Sequence, residues 1–242
     1  MRDRHAENGQ PGSSSLHDAW SMLARRGWLG GRSPAVRDLL RPFARLREFA
    51  AGDVLYRADD LPNGVFGLVD GVLEIAVPGM DGEEGLFHRA EPGFWVGDLA
   101  LFAGQRRLVT IRAAGRCIVV HLSQEGLGSV IAKNPAVTRD FYELSHENMR
   151  LALQLLANLA IQSADSRIAL RILMHANALR SRGDWISLSH DALSQLVAVS
   201  PRTVRRTLGR LQELGLIETG YARIRVIDHD ALAAYADNSL GE

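Results

Sequence analysis

Residues 189–214 read SHDALSQLVAVSPRTVRRTLGRLQEL, two short helical patterns either side of a tight corner, the signature of a helix-turn-helix. Ser189 offers its side-chain oxygen to the free amides of a first helix that buries Leu193, Leu196 and Val197. Ser200 followed by Pro201 supplies the N-cap and first position of a second helix, and Gly215 the residue that ends it. At about 100° per residue, Val204, Leu208 and Leu211 fall within about 60° of one another, while Arg202, Arg205, Arg206 and Arg210 gather opposite. One face is core and the other cationic. From Pro201 to Leu214 four arginines meet one acid, Glu213, so the segment carries +3 in a chain whose formal net charge is +0. Such a stripe either contacts phosphates and forks onto guanine edges in a major groove, or is a solvated helix face. The capped partner helix in front favours DNA. Ser189, Ser200 and Thr203 join the four arginines as candidate DNA contacts.

Beyond Gly215, LIETGYARIRVID holds two short β-rich runs around Thr219, Gly220 and Tyr221, a hairpin that makes the module winged. Arg223 and Arg225 alternate with Ile224 and Val226, so one wing face either touches phosphate or is simply solvated.

Length and composition bound the rest. A chain of 242 residues fits two compact domains, with 46% hydrophobic residues for their cores. Residues 151–161 form the longest apolar-looking run, but contain Gln154 and Asn158 and are too short for a bilayer core of about 30 Å. The polar N-terminus, MRDRHAENGQPGSSS, lacks an apolar signal core, so residues 1–17 are expected to be a disordered tail and the protein cytoplasmic. Cys117 stands alone, which excludes an intramolecular disulfide and a four-cysteine iron–sulfur cluster within one chain; its run CIVVHL predicts a buried thiol. Lys133 is the single lysine among 28 basic residues, so scattered arginines carry no weight as a functional signal.

Taken in order, helices are predicted over 18–29 and 33–46, the second capped by Ser33 with Pro34 at its first position. FAAGDVLYRADD, GVFGLVDGVLEIAV, GLFHRAEPGFWVG and RLVTIRAAGRCIVVHL then alternate between Gly, Pro, Asp and Asn punctuation, which predicts an antiparallel β-roll. Asn134 with Pro135 starts a helix of about 25 residues whose C-terminal half, LALQLLANLA, is apolar on more than one face, and a helix of that kind wants a partner outside its own domain. Leu144, Asn148, Leu151, Leu155 and Leu159 are the expected seam of a homodimer; the alternative packs the helix wholly within one subunit. Asp165 is expected to cap the next helix, SRIALRILMHANAL, ending near Gly183. The chain is therefore read as α+β: a tail (1–17), helices and roll (18–133), a dimerisation helix (134–163) and a winged helix-turn-helix (164–242).

This order of elements resembles the Crp/Fnr superfamily of bacterial transcription regulators over about residues 45–230. The resemblance rests on FAAGDVLY, on the turn at Asp70, Gly71 and Val72, on GDLALFAGQRR, which is similar to the phosphate-binding cassette of cyclic-nucleotide-binding domains, on NLAIQSADSRIALRIL and on SPRTVRRTLGRLQELGLI. It implies an effector pocket at Gly97, Asp98, Leu99, Arg106, Arg107 and Leu108, a homodimer on double-stranded DNA, and RNA polymerase as a partner. The cassette departs from the cyclic-AMP-binding members: Asp98 replaces a glutamate and Leu108 a serine, and Ala152 and Leu153 stand where the adenine meets threonine and serine. Cyclic AMP is therefore not the expected effector, which stays unassigned. Haem is an alternative, with His88 or His121 as axial ligand, although a lone strand histidine ordinarily packs. Arg206 matches a base-reading arginine of the family, whereas Pro201 and Arg202 replace an arginine and a glutamate, so a different half-site is implied.

Two other functions compete with an effector-controlled regulator. A cupin-type metal enzyme shares the roll but needs a His-x-His pair, which neither His88 nor His121 supplies, and the chain contains no nucleophile elbow, HExxH or P-loop. An effector-independent DNA-binding regulator with a degenerate sensor differs only in the roll.

Overall fold

The computed structural model describes residues 15–79, 82–179 and 183–238. Helix α1 (Leu16–Leu23) is opened by Ser15, whose side chain accepts from the Asp18 amide. The tail expected over 1–17 thus ends in a capped helix, and its residues 1–14 lie outside the described residues. The helix expected over 18–29 is two pieces, α1 and the single turn α2 (Gly27–Gly30). The break spans residues 24–26, and α2 opens on Gly27, at φ +56°, where a Cβ would meet the Gly93 carbonyl oxygen at 1.9 Å. The helix expected over 33–46 stops at Leu40 (α3, Pro34–Leu40), because Pro42 has no amide to continue it; a 3₁₀ turn, Arg41–Phe43, leads into β1 (Ala44–Phe49).

The roll adds β2 (Val54–Tyr56), β3 (Gly64–Asp70), β4 (Leu73–Pro78), β5 (Glu84–Ala90), β6 (Trp95–Val96), helix α4 (Asp98–Ala103), β7 (Thr110–Ala113) and β8 (Cys117–Ser123). They pair antiparallel into two four-stranded sheets, ordered β1-β8-β3-β6 and β2-β7-β4-β5. Strand β8 reads as a nearly unbroken apolar run because both of its faces are covered. Cys117 and Val119 enter the core between the sheets with Leu68, Leu73 and Ile111. Val120 and Leu122 face a second core beneath the N-terminal helices, with Trp20, Leu23, Trp28 and Leu127. Cys117 Sγ lies 3.1 Å from the Val72 carbonyl oxygen and burial pushes its thiol pKa up, as befits a packing residue. Gly71, at φ +88°, passes so close that a Cβ would meet that sulfur at 2.7 Å.

Helix α5 (Gln124–Lys133) leads into α6 (Val137–Ala160), the 24-residue helix foreseen from Asn134 and Pro135. Trp28 ties α2 to α6: its ring lies 4.9 Å from Phe141 and 5.3 Å from Trp95, and its Nε1 donates to the Asp140 carbonyl at 2.6 Å. Arg32 adds ion pairs to Asp140 and Glu143.

After α6 come α7 (Ala164–Ala178), β9 (Trp185–Ile186), α8 (His190–Leu196), α9 (Pro201–Glu213), β10 (Ile217–Gly220), β11 (Arg223–Val226) and α10 (His229–Asn238). Ser163, not Asp165, caps α7, accepting from the Ser166 amide; Asp165 sits in the first turn, and the helix ends at Ala178 rather than near Gly183. The hairpin gains a third strand, in the order β10-β11-β9. Ile168, Ile172, Leu193, Val204, Leu208 and Leu211 lie in the core of this module.

The module meets the roll through a buried polar seam. Arg171 of α7 donates from Nη1 to the Phe87 carbonyl at 3.3 Å and from Nε to Asn158 Oδ1 at 3.1 Å. The His88 ring stacks on His175 of α7 at 5.5 Å. Burial, with the nearby Arg171 charge, pulls the pKa of His88 down to about 3, so it is neutral. No helix among the described residues is long and apolar enough to cross a membrane.

Replacing Trp28 by alanine is expected to destabilise the fold by about 3–5 kcal/mol through the cavity it leaves. Trp28→Phe, which keeps most of the packing and drops the Nε1 bond, should lose about 1 kcal/mol. Urea unfolding followed by circular dichroism checks both values.

Candidate effector cavity and DNA interface

A cavity of about 310 Å³ lies between the roll and the inner face of α6. Gly97, Asp98, Leu99, Arg107 and Leu108 line it, as the cassette implied, and Arg106 does not. Arg106 turns outward, its side chain 60% exposed, and donates to the Asp59 carbonyl. Arg107 points inward. Its Nη1 donates to the Gly97 carbonyl at 2.6 Å and its Nη2 to the Gly64 carbonyl and Asn63 Oδ1 at 2.8 and 3.0 Å, while the guanidinium lies 4.1 Å from the Tyr56 ring centroid. Gly97 makes room for this, because at φ +101° a Cβ would stand 2.6 Å from Arg107 Nη1. Burial lowers the guanidinium pKa.

Asp98 is buried, and α6 holds both of its oxygens: Ser145 Oγ donates to Oδ2 at 2.6 Å and Asn148 Nδ2 to Oδ1 at 2.8 Å. Burial keeps its carboxyl above the usual range against the pull of these bonds. The expected dimer seam therefore faces inward and needs correcting. Leu144 is buried in the second core, Asn148 is the partner of Asp98 and also donates to the Trp95 carbonyl, Leu151 and Leu155 line the cavity, and Leu159 is half-buried. The stripe left exposed contains Tyr142, Met149, Leu153 and Leu156, at 75%, 50%, 58% and 54%. Both stripes have helical spacing, and the polar tie to Asp98 selects which one turns in. Ala152 lines the cavity and Leu153 faces out.

The two histidines are packing residues. His121 stacks on Phe66 at 4.4 Å, with its pKa lowered by burial, and His88 stacks on His175 while lining the cavity wall. Among the described residues no group of three or more His, Cys, Asp or Glu is arranged to hold a metal ion.

In the helix-turn-helix, Ser189 caps α8 by accepting from the Ala192 amide at 3.1 Å, and Ser200 caps α9 by accepting from the Thr203 amide at 3.2 Å. The corner between them is made by Ala198 at φ +50°, with no glycine to mark it in the sequence. Val204, Thr207, Leu208 and Leu211 of α9 are buried, whereas Arg202, Arg205, Arg206 and Arg210 are exposed and Thr203 is half-buried. Asp165 lies behind this face, 3.7 Å from both Arg206 Nη2 and Arg210 Nη1, and it accepts from the buried Thr207 hydroxyl. It holds two arginine heads side by side, a role the sequence did not reveal. Among the described residues Arg202 and Arg205 have no acidic partner within 4.0 Å. On the wing, Arg223 and Arg225 both lie over Trp185, at 4.3 and 4.8 Å, and Arg225 pairs with Glu218. Tyr221 stands at the hairpin tip, 99% exposed.

Comparison with known proteins agrees with this geometry. Residues 46–134 match the model of the cyclic nucleotide-binding domain, and residues 166–235 that of the Crp-like helix-turn-helix domain. The HTH-type transcriptional regulator Cmr of Mycobacterium tuberculosis is 26% identical over 231 residues, 94% of this chain and 92% of that protein. A CRP-like cAMP-activated global transcriptional regulator of the same species is 23% identical over 220 residues, 89% of this chain and 98% of its own. Among solved structures, FixK2 from Bradyrhizobium japonicum superposes with a TM-score of 0.71 at 19% identity, covering 79% of this chain and 96% of that one. The chain belongs to the Crp/Fnr family of DNA-binding transcription regulators, with a cyclic-nucleotide-binding-type roll followed by a Crp-like helix-turn-helix.

Proposed function

We propose that this regulator acts in the cytoplasm as a two-fold dimer on a pseudo-palindromic DNA site, and that a small effector in the roll cavity controls its affinity. The observation that carries this reading is the two-sidedness of α6. Its inner face lines the cavity through Leu151, Ala152 and Leu155. On its outer face Tyr142, His146, Met149, Leu153, Leu156 and Ala160 recur at alternating steps of four and three and are all exposed. That spacing is a heptad seam, and a second copy of the same helix is the partner it fits. Relatives described as cAMP-activated support control by a small ligand. Working with RNA polymerase is carried over from the family.

At the DNA, the N-terminal half of a recognition helix meets base edges. Arg202 and Arg206 are assigned to base readout and Arg210 to phosphate. Arg205 stands at the edge of the same face, and Thr203 with the capping Ser189 and Ser200 contacts the backbone. The arginine pair on Asp165 spans the two roles, since Arg206 and Arg210 are steered by one carboxylate.

Leu153→Glu combined with Leu156→Glu is expected to give a monomer in sedimentation at micromolar concentration and to weaken operator binding at least tenfold. A dimer that persists, with two protected half-sites about one helical turn apart, would place the seam elsewhere. Arg206→Ala should lose about 1–3 kcal/mol at a single base pair, whereas Arg210→Ala should weaken all sequences alike and flatten the salt slope by about one unit. Titration against matched and mismatched operators at two salt concentrations separates these outcomes, and the opposite pattern reverses the assignment.

A further inference from the structure

The cavity does not fit the ligand class that its fold family suggests. A cyclic nucleotide presents ribose hydroxyls, a cyclic phosphate and the polar edges of a base. Each Asp98 oxygen already accepts a bond from α6, through Ser145 and Asn148. The terminal nitrogens of Arg107, the fork that would grip two phosphate oxygens, donate instead to Gly97, Gly64 and Asn63. Ile75, Val77, Phe94, Val96, Val109 and Leu151 bring hydrocarbon to the wall. A base buried there would leave donors and acceptors unpaired, each at a cost on the order of tenfold in affinity or more.

What the wall does offer is narrow. Arg107 is 3% exposed, has no carboxylate within 4.0 Å among the described residues, Asp98 and Asp60 acting on it only from farther away, and its Nε has no hydrogen-bond partner. A buried cation without a close counter-ion favours an anion beside it. The second unpartnered polar atom among the lining side chains is His88 Nδ1, on the ring that stacks against His175 of α7.

We propose that the cavity binds a hydrophobic monocarboxylate, an alkyl or aryl acid whose single charged head pairs with Arg107 through Nε, the one guanidinium nitrogen not already donating to the protein, and whose body fills the apolar wall. This rests on the cavity being the effector site. A ligand body reaching His88 touches a side chain that both lines the cavity and stacks on His175, which gives it a physical route to α7.

Thermal unfolding of the full chain with sodium decanoate below its micellar concentration, with 1-decanol and with cyclic AMP tests the proposal. Decanoate at a hundredfold excess over its Kd is expected to raise Tm by about 5–10 °C. Decanol should bind at least tenfold more weakly, and cyclic AMP should leave Tm unchanged. Ala152→Trp, which fills the cavity from α6, should abolish the decanoate shift; if that variant does not fold, Val109→Trp fills it from the roll. Arg107→Gln should erase the preference for decanoate over decanol. A decanoate shift that survives both filled variants, a shift with cyclic AMP alone, or no shift with any compound overturns the ligand class. Decanoate bound in the cavity with operator affinity unchanged supports the ligand class and overturns effector control instead.

Discussion

The carboxylate of Asp98, held by Ser145 and Asn148, joins the cassette helix α4 to α6, and the arrangement of the rest follows from that joint. It fixes the rotation of α6 about its own axis. With Asn148 turned in, Leu151, Ala152 and Leu155 close the cavity, and the heptad stripe containing Met149, Leu153 and Leu156 is left outside. A rotation of about 100° would move each residue by one position around the helix and bury the wrong stripe. A buried carboxylate without partners is costly, so the alternative rotations are disfavoured by the same group that selects the observed one.

The second constraint is the seam between β5 and α7. Arg171 is fully buried there, and its pKa falls to about 10 through desolvation. Arg171 Nη2, His88 Nδ1, His175 Nε2 and Glu91 Oε1 all lack hydrogen-bond partners, and burial lifts the Glu91 pKa to about 7. An interface with several unsatisfied polar atoms adds little net stability, yet it accepts few alternative registers.

Much of this was legible from local chemistry. Ser200 and Pro201 fixed the start of α9 within a residue, and the 3.6 period separated Val204, Leu208 and Leu211 from the arginines, because capping and amphipathicity act over a single turn. Glycine punctuation gave the roll. Most of the misses at the site come from long-range contacts. Asn148 has helical spacing with Leu144 and Leu151 and looks like a seam residue until Asp98, 50 positions earlier, is placed beside it. Arg106 and Arg107 are indistinguishable until Gly97, Gly64 and Asn63 are placed around Arg107 and Asp59 beside Arg106. Gly27 opens α2 against the Gly93 backbone, and Asp165 steers Arg206 and Arg210 from another helix. A two-residue strand such as β9 carries too little pattern to be seen at all.

In the proposed function α6 transmits the state of the cavity to a dimer and its DNA, with Asp98 as the anchor of that transmission. Operator affinity of Asp98→Ala, measured by fluorescence anisotropy beside the wild-type chain, tests it most directly. The account predicts at least a tenfold change in affinity, although Asp98 touches neither DNA nor the α6 seam. Wild-type affinity in Asp98→Ala, with the dimer intact, would contradict it.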